Sequence, residues 1–238
     1  MVGSPDEKSA LQRGPVRERL VEAAIEVLRV HGPGEMKVRR ISEEAGASTI
    51  AVYHHFGDLQ RLLIEVVNRG FSMLRAELLD AAASNVEPEV QLFSMALCVR
   101  GMARGNPHLY DMMFGLSTRG TYRAAAPATV TRKPFSDAYE VLARACQDLA
   151  SSGRIDEEDG ELIAAQLWSL VHGFVSLEAA GHFDDHGDAV VAVLAPMAVT
   201  HMVGFGEDRT YAAHSASTAL EWWKHRDHKF DRIGSEEI

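Results

Sequence analysis

The sequence predicts an all-α protein, and three observations carry that reading. Apolar residues recur at spacings of three and four along most of the 238-residue chain. No useful length of it alternates apolar and polar residues at the period of two that a half-buried strand requires. Hydrophobic residues make up 46% and charged residues 24%, which suits a core closed between helices and argues against disorder throughout. The expected architecture is an N-terminal three-helix unit containing a helix-turn-helix, joined by a long helix to a larger helical domain.

Taken in order, residues 1–14 are polar and read as a flexible arm without the apolar stretch of a signal peptide. Val16, Leu20, Ala24, Val27 and Leu28 make one apolar stripe over 16–31, with Arg17, Glu18, Glu22, Glu26 and Arg29 on the other face. Pro15 suits the first turn, and Gly32-Pro33-Gly34 ends the helix. A short helix over 38–45 stops at Gly46, and Ser48 caps a second over 49–55 that stops at Gly57. Asp58 caps a long helix over 59–83, with Leu62, Leu63, Val66, Val67, Phe71, Leu74 and Leu78 on its buried side. Helices follow over 89–104 and 107–114. The Gly-, Ser-, Thr- and Pro-containing stretch 115–133 reads as a long loop. Helices resume over 134–151, 157–180 and 187–205, and the polar tail 207–238, with Trp222, Trp223 and Phe230, is expected to be helical in part.

The net charge of −10 is unevenly spread. Residues 1–61 carry nine Lys/Arg and nine Asp/Glu, whereas the remainder carries 15 against 25. An acidic body repels DNA, so a nucleic-acid face is confined to the front of the chain. Cys98 and Cys146 lie in apolar helical contexts, which fits a reducing cytoplasm rather than a disulfide scaffold. The longest apolar run, 189–199, contains Pro196 and is too short to span a bilayer, so no membrane association is expected.

Two short helices joined by a Gly-containing turn form a helix-turn-helix, with Ile41, Ala45, Val52 and Phe56 as its apolar interior. In such a unit the N-terminal side chains of the second helix reach base edges in the major groove. The stretch from Arg39 to Phe56, with Ala45-Gly46-Ala47-Ser48 followed by Val52-Tyr53-His54-His55-Phe56, resembles the N-terminal signature of TetR-family regulators. The resemblance runs from residue 16 to about 67 and implies a DNA-binding domain over 15–60. It implies that Arg39 contacts a base or the backbone, that Ser48, Thr49, Ile50 and Ala51 face base edges, and that Tyr53, His54 and His55 meet phosphates. Two positions depart from the family pattern: Lys37 stands where a capping Ser or Thr is usual, and Leu59 where a Lys is usual, with Arg61 near enough to replace that contact. A purely structural helical hairpin is the competing reading of the same residues.

The helices over 157–180 and 187–205 are apolar nearly all round, which calls for burial on two sides. The economical solution is a homodimer through a four-helix interface, with Leu167, Val171, Phe174, Val175, Val191, Leu194 and Ala198 as the candidate contacts. Trp168-Ser169-Leu170-Val171-His172-Gly173 and Pro107 to Gly115 resemble one subgroup of TetR-family ligand domains. The region 61–206 is therefore expected to bind an effector and to dimerise. Met95, Met102, Met112 and Met113, with Tyr110, Phe114 and Trp168, are candidates to line an apolar cavity, and His172 to anchor a ligand in it; a packed core is the alternative for all of them. His182, Asp184, Asp185, His186 and Asp188 have the chemistry of a metal site but read more simply as a polar turn, as His225 and His228 do on the tail. No catalytic constellation, metal site or cofactor is expected. The implied function is a transcriptional regulator that binds double-stranded DNA at a near-palindromic operator, a repressor released by a small apolar or aromatic effector. An all-α enzyme or small-molecule-binding module is the alternative, and an activator would use the same DNA-binding face.

Overall fold

The computed structural model describes residues 15–115 and 128–226, with side chains from residue 133 in the second stretch. The expected arm 1–14, most of the expected loop, and His228 and Phe230 lie outside the described residues. Ten α-helices and no strand occur among the described residues. They are α1 Val16–His31, α2 Val38–Glu44, α3 Thr49–Phe56, α4 Leu59–Ser84, α5 Pro88–Gly105, α6 Pro107–Phe114, α7 Ala128–Ser151, α8 Gly160–Ala179, α9 Ala195–Gly204 and α10 Arg209–His225.

The chain divides into two units, one of residues 1–72 and 106–135 and one of 73–105 and 136–238. This differs from the expected borders at 60/61 and 206/207. The first border falls inside α4, α6 packs with α1 in the first unit, and α10 packs on α5 and α9 in the second. Small residues explain the second difference. Ala212, Ser215, Ala216 and Ala219 are the buried side of α10, a helical stripe with little apolar bulk that reads as polar in sequence.

In the first unit, Leu20, Ala24, Val27 and Leu28 of α1 close over Ile41 of α2, Ala45 just beyond its end, and Val52 and Phe56 of α3, all buried. The turn between α2 and α3 passes through Gly46 at φ +59°, a left-handed conformation that a side chain would disfavour. Arg17 lays its guanidinium over the Phe56 ring, 5.1 Å from its centroid. As Lys37 suggested, α2 begins without a side-chain cap. Ser48 does cap α3: its Oγ accepts the Ala51 N–H at 3.3 Å. Asp58 Oδ1 accepts the Arg61 N–H at the head of α4, at 2.8 Å.

In the second unit, α5 lies against α8 and α10. The approach of α10 depends on Gly101, where a Cβ would come within 2.5 Å of the Trp223 ring. Arg226 then bonds Glu77 and Asp80, each at 2.6 Å. Arg154 draws together the buried carboxylates of Glu89, at 3.0 Å, and Glu207, at 3.4 Å. Arg100 grips Glu178 bidentately across α5 and α8.

Three helix limits differ from expectation. α7 starts at Ala128 with Pro134 inside it, rather than at residue 134. α8 starts at Gly160 because Asp159 Oδ1 accepts the Glu161 and Leu162 N–H groups. The expected helix over 187–205 is a π-helical turn, Val190–Leu194, followed by α9. Pro196 supplies the reason: its ring clashes with the carbonyl four residues back, and the Ala195 N–H reaches Val190 O instead. Asp188 Oδ1 accepts the Val190 N–H at 2.9 Å, so this acid caps the turn. Among the described residues no three His, Cys, Asp or Glu side chains gather to hold a metal ion.

Candidate DNA-binding face and ligand cleft

Burial of Val52 and Phe56 fixes which side of α3 faces out. Ser48, Thr49, Ile50, Tyr53, His54 and His55 are exposed, and Ala51 is half-buried. Ile50 is 74% exposed and Tyr53 56%. α3 contains no Lys or Arg. The cations nearest in sequence are all engaged. Arg39, 86% exposed at its side chain, gives Nε to Glu43 Oε1 at 2.8 Å. Lys37 Nζ lies 2.9 Å from Glu35, Arg40 Nη2 lies 2.7 Å from His31 Nε2, and Arg61 lies 3.9 Å from Asp58. The face therefore offers hydroxyls, imidazoles, a phenol and one projecting isoleucine, flanked by cations that neighbouring side chains already hold. Seven of the eight candidate DNA contacts stand open to solvent, and Ala51 is the partial exception.

The candidate effector residues do not form one set. Tyr110, Met113 and Phe114 belong to the first unit. There Phe114 packs edge-on to Phe71 at 5.6 Å between centroids, and Met113 sits where a Cβ on Gly70 would come within 2.5 Å of its Sδ. Burial raises the Tyr110 hydroxyl well above its ordinary range. Met102 is fully buried in the second unit. Of the eight candidates, Trp168 and Met95 line the apolar cleft of that unit. Leu78, Leu92, Phe93, Ala96, Val99, Leu142, Leu167, Leu170, Val171, Ala198 and Met202 complete the cleft, whose free space is only about 30 Å³. That holds a water or two, not an organic effector. A search of the sequence for Met and aromatic residues misses these aliphatic walls, because helix periodicity marks them as core and nothing local separates a core wall from a cleft wall. His172 stands beside Trp168, ring centroids 4.2 Å apart, and burial lowers its imidazole to about 4.

The candidate dimer residues lie mostly on the inward sides of their helices. Leu167, Val171, Phe174, Val175, Leu194 and Ala198 are buried in the chain's own core, and of the seven only Val191 is exposed, at 59%. The bulky side chains turn inward to fill the unit. The outward side of α8 carries Leu162, Ala165, Ser169, Gly173 and Leu177, with Leu162 at 45% and Leu177 at 46% exposure. By length and composition α8 would also suffice to cross a membrane, which a search for unbroken apolar runs does not register.

Comparison with known proteins agrees with this layout. Residues 20–66 match the family model described as bacterial regulatory proteins, tetR family. Residues 92–203 match the model described as tetracyclin repressor-like, C-terminal domain. The chain belongs to the TetR family of transcriptional regulators. It is 28% identical over 206 residues to an uncharacterised HTH-type transcriptional regulator of Mycobacterium tuberculosis, covering 85% of this chain and 86% of that protein. Among solved structures it resembles a protein of unknown function from Rhodococcus sp. RHA1, with TM-score 0.63, 21% identity, and 89% of this chain and 95% of that one covered. It also resembles the fatty acid degradation regulator FadR of Bacillus halodurans, with TM-score 0.59, 16% identity, and 77% and 93% covered. At these identities the two structures show the shared fold. As a TetR-family member the protein is a DNA-binding transcriptional regulator, and the unit around α3 is its DNA-binding part.

Proposed function

We propose that this regulator is a homodimeric cytoplasmic repressor that leaves a near-palindromic operator when a small apolar or aromatic effector opens the cleft of the second unit. The carrying observation is the cleft itself: its walls are almost wholly aliphatic and aromatic, and α4 and α5 face α7, α8 and α9 across it. A polar ligand would lose its hydration there without gaining partners. Because the space is about 30 Å³, binding has to separate these helices, so the effector selects a conformation different from the one described. α4 is continuous from Leu59 to Ser84 and contributes Leu78 to the cleft, so an opened cleft displaces a helix that starts directly after α3. FadR regulates fatty acid degradation by its name, but the class proposed here rests on the cleft of this chain. On the DNA side, Arg39, Ser48, Thr49, Ile50, Tyr53, His54 and His55 make the contacts, with Ala51 in a lesser role.

The test is operator release. The full chain is bound to a duplex enriched from random DNA, then titrated with straight-chain carboxylic acids and naphthalene derivatives while fluorescence anisotropy is followed. At least one class should release the duplex, and Ala96→Leu, which fills the cleft, should blunt the release while DNA binding persists. Coupling of about 1–3 kcal/mol, roughly 5- to 150-fold in DNA affinity, is the usual range. A duplex that stays bound at saturating concentrations of every such compound would overturn the apolar-effector reading.

A further inference from the structure

The first turn of α3 presents one side chain whose chemistry fits a single feature of the DNA groove. Ile50 is 74% exposed, two residues before the buried Val52 and on the opposite side of the helix. His54 stands one turn further along that outward side and is exposed as well. No fold requirement explains Ile50: it touches no core, and a polar residue at that position would leave α3 intact. Left in water, a branched aliphatic side chain gains nothing. Buried against a partner, it contributes through the area it removes from solvent.

The major groove carries one methyl group, the C5 methyl of thymine; the features that mark the other bases there are hydrogen-bond donors and acceptors. An isoleucine pressed on an adenine, guanine or cytosine edge would strip water from a polar group and give back no hydrogen bond. α3 has no Lys or Arg to make the bidentate contact with guanine. Arg39, on α2, is bonded to Glu43. The strongest polar reader is thus missing from the helix, and the apolar reader stands at its N-terminal turn, the part of a recognition helix that meets base edges.

We infer that Ile50 is a specificity-determining residue that reads a thymine methyl in each operator half-site. The inference rests on α3 being the groove-reading helix of the proposed operator complex. One methyl-sized group removed from water on binding corresponds to about 0.8 kcal/mol, so loss of the contact should weaken binding about fourfold at that position.

The experiment uses the full chain and a duplex enriched from random DNA. Each thymidine is replaced in turn by deoxyuridine, which removes only the methyl, and affinity is measured by anisotropy at fixed salt. The expected result is that one or two replacements per half-site weaken the wild type about fourfold while the rest have little effect. In Ile50→Ala those same replacements should cost nothing further, whereas Tyr53→Ala should keep their cost. Replacing the sensitive thymine by 5-methylcytosine should be tolerated better than replacing it by cytosine. Deoxyuridine penalties that persist unchanged in Ile50→Ala, or no sensitive position at all in a duplex that binds tightly, would overturn the inference while leaving the operator reading in place. Failure to enrich any duplex would overturn both.

Discussion

At the scale of single residues, His172 shows how desolvation beside Trp168 is written into pH dependence. Its imidazole is half-buried beside Trp168, and desolvation lowers it to about 4 from an ordinary 6.5. The folded chain thus holds this histidine neutral in a range where the unfolded chain holds it protonated. The stabilising contribution is complete above about 6.5 and is lost as pH falls through about 4, up to roughly 3 kcal/mol. Carboxylates titrate over part of the same interval, so the informative quantity is the difference between proteins. Urea unfolding of the wild type and of His172→Gln at pH 7 and pH 4.5 should show the variant losing less stability on acidification, by about 2 kcal/mol. Parallel pH profiles for the two would show that the fold does not hold His172 neutral below its ordinary range. Trp168 and His172 were both legible in the sequence as neighbours one turn apart, but their roles were not. Periodicity marks a side as apolar and says nothing about whether the space beside it is full.

At the scale of elements, α2 and α3 were read nearly to the residue because local chemistry decides them: Ser48 caps α3, and Gly46 and Gly57 end helices by positive φ. Elements decided by packing were harder. α10 uses alanine and serine as its buried side, so no large apolar period marks it. The π turn before α9 arises from Pro196 acting inside a helix rather than at its start, and Pro134 likewise lies inside α7. Glu43 holds Arg39 on the exposed side of α2 and competes with phosphate for it. Glu43→Gln should therefore strengthen binding to all duplexes, though only modestly, because an exposed pair in water holds its partners weakly. Titrations at several salt concentrations would check it: an affinity unchanged or lowered at low salt would mean that Glu43 orients Arg39 instead of withholding it. α10, for its part, is seated by Trp223 over Gly101. Trp223→Ala should cost about 2 kcal/mol, below the 3–5 typical of fully buried Trp, read as a lower denaturant midpoint. A shift equivalent to less than about 0.5 kcal/mol, the range of ordinary surface changes, would make α10 an accessory rather than part of the core.

At the scale of the whole molecule, the outstanding question is what covers the outward side of α8 and the π turn. Leu162, Leu177, Val191 and Met197 are all exposed large apolar residues, and Ala165, Ser169 and Gly173 between them leave a shallow surface that another helix can approach closely. Two-fold pairing places the same patch on both copies, so one apolar side satisfies itself. It also presents two copies of α3 to one duplex, which is why the operator is expected to be a near-palindrome. The second head then binds at a high effective concentration, and dimer loss should weaken operator binding at least about 100-fold. Leu177→Glu combined with Val191→Glu should give a monomer by light scattering at micromolar concentration, with helical circular dichroism unchanged. Its salt slope on the operator should fall to about half, because half the phosphate contacts remain. Phe174→Glu should behave differently: this side chain is 2% exposed, so a buried charge there should unfold the second unit and reduce the helical signal. A folded, monomeric Phe174→Glu would return the interface to the inward stripe. A wild type that is monomeric and binds the operator as tightly as the double variant would remove the dimer altogether.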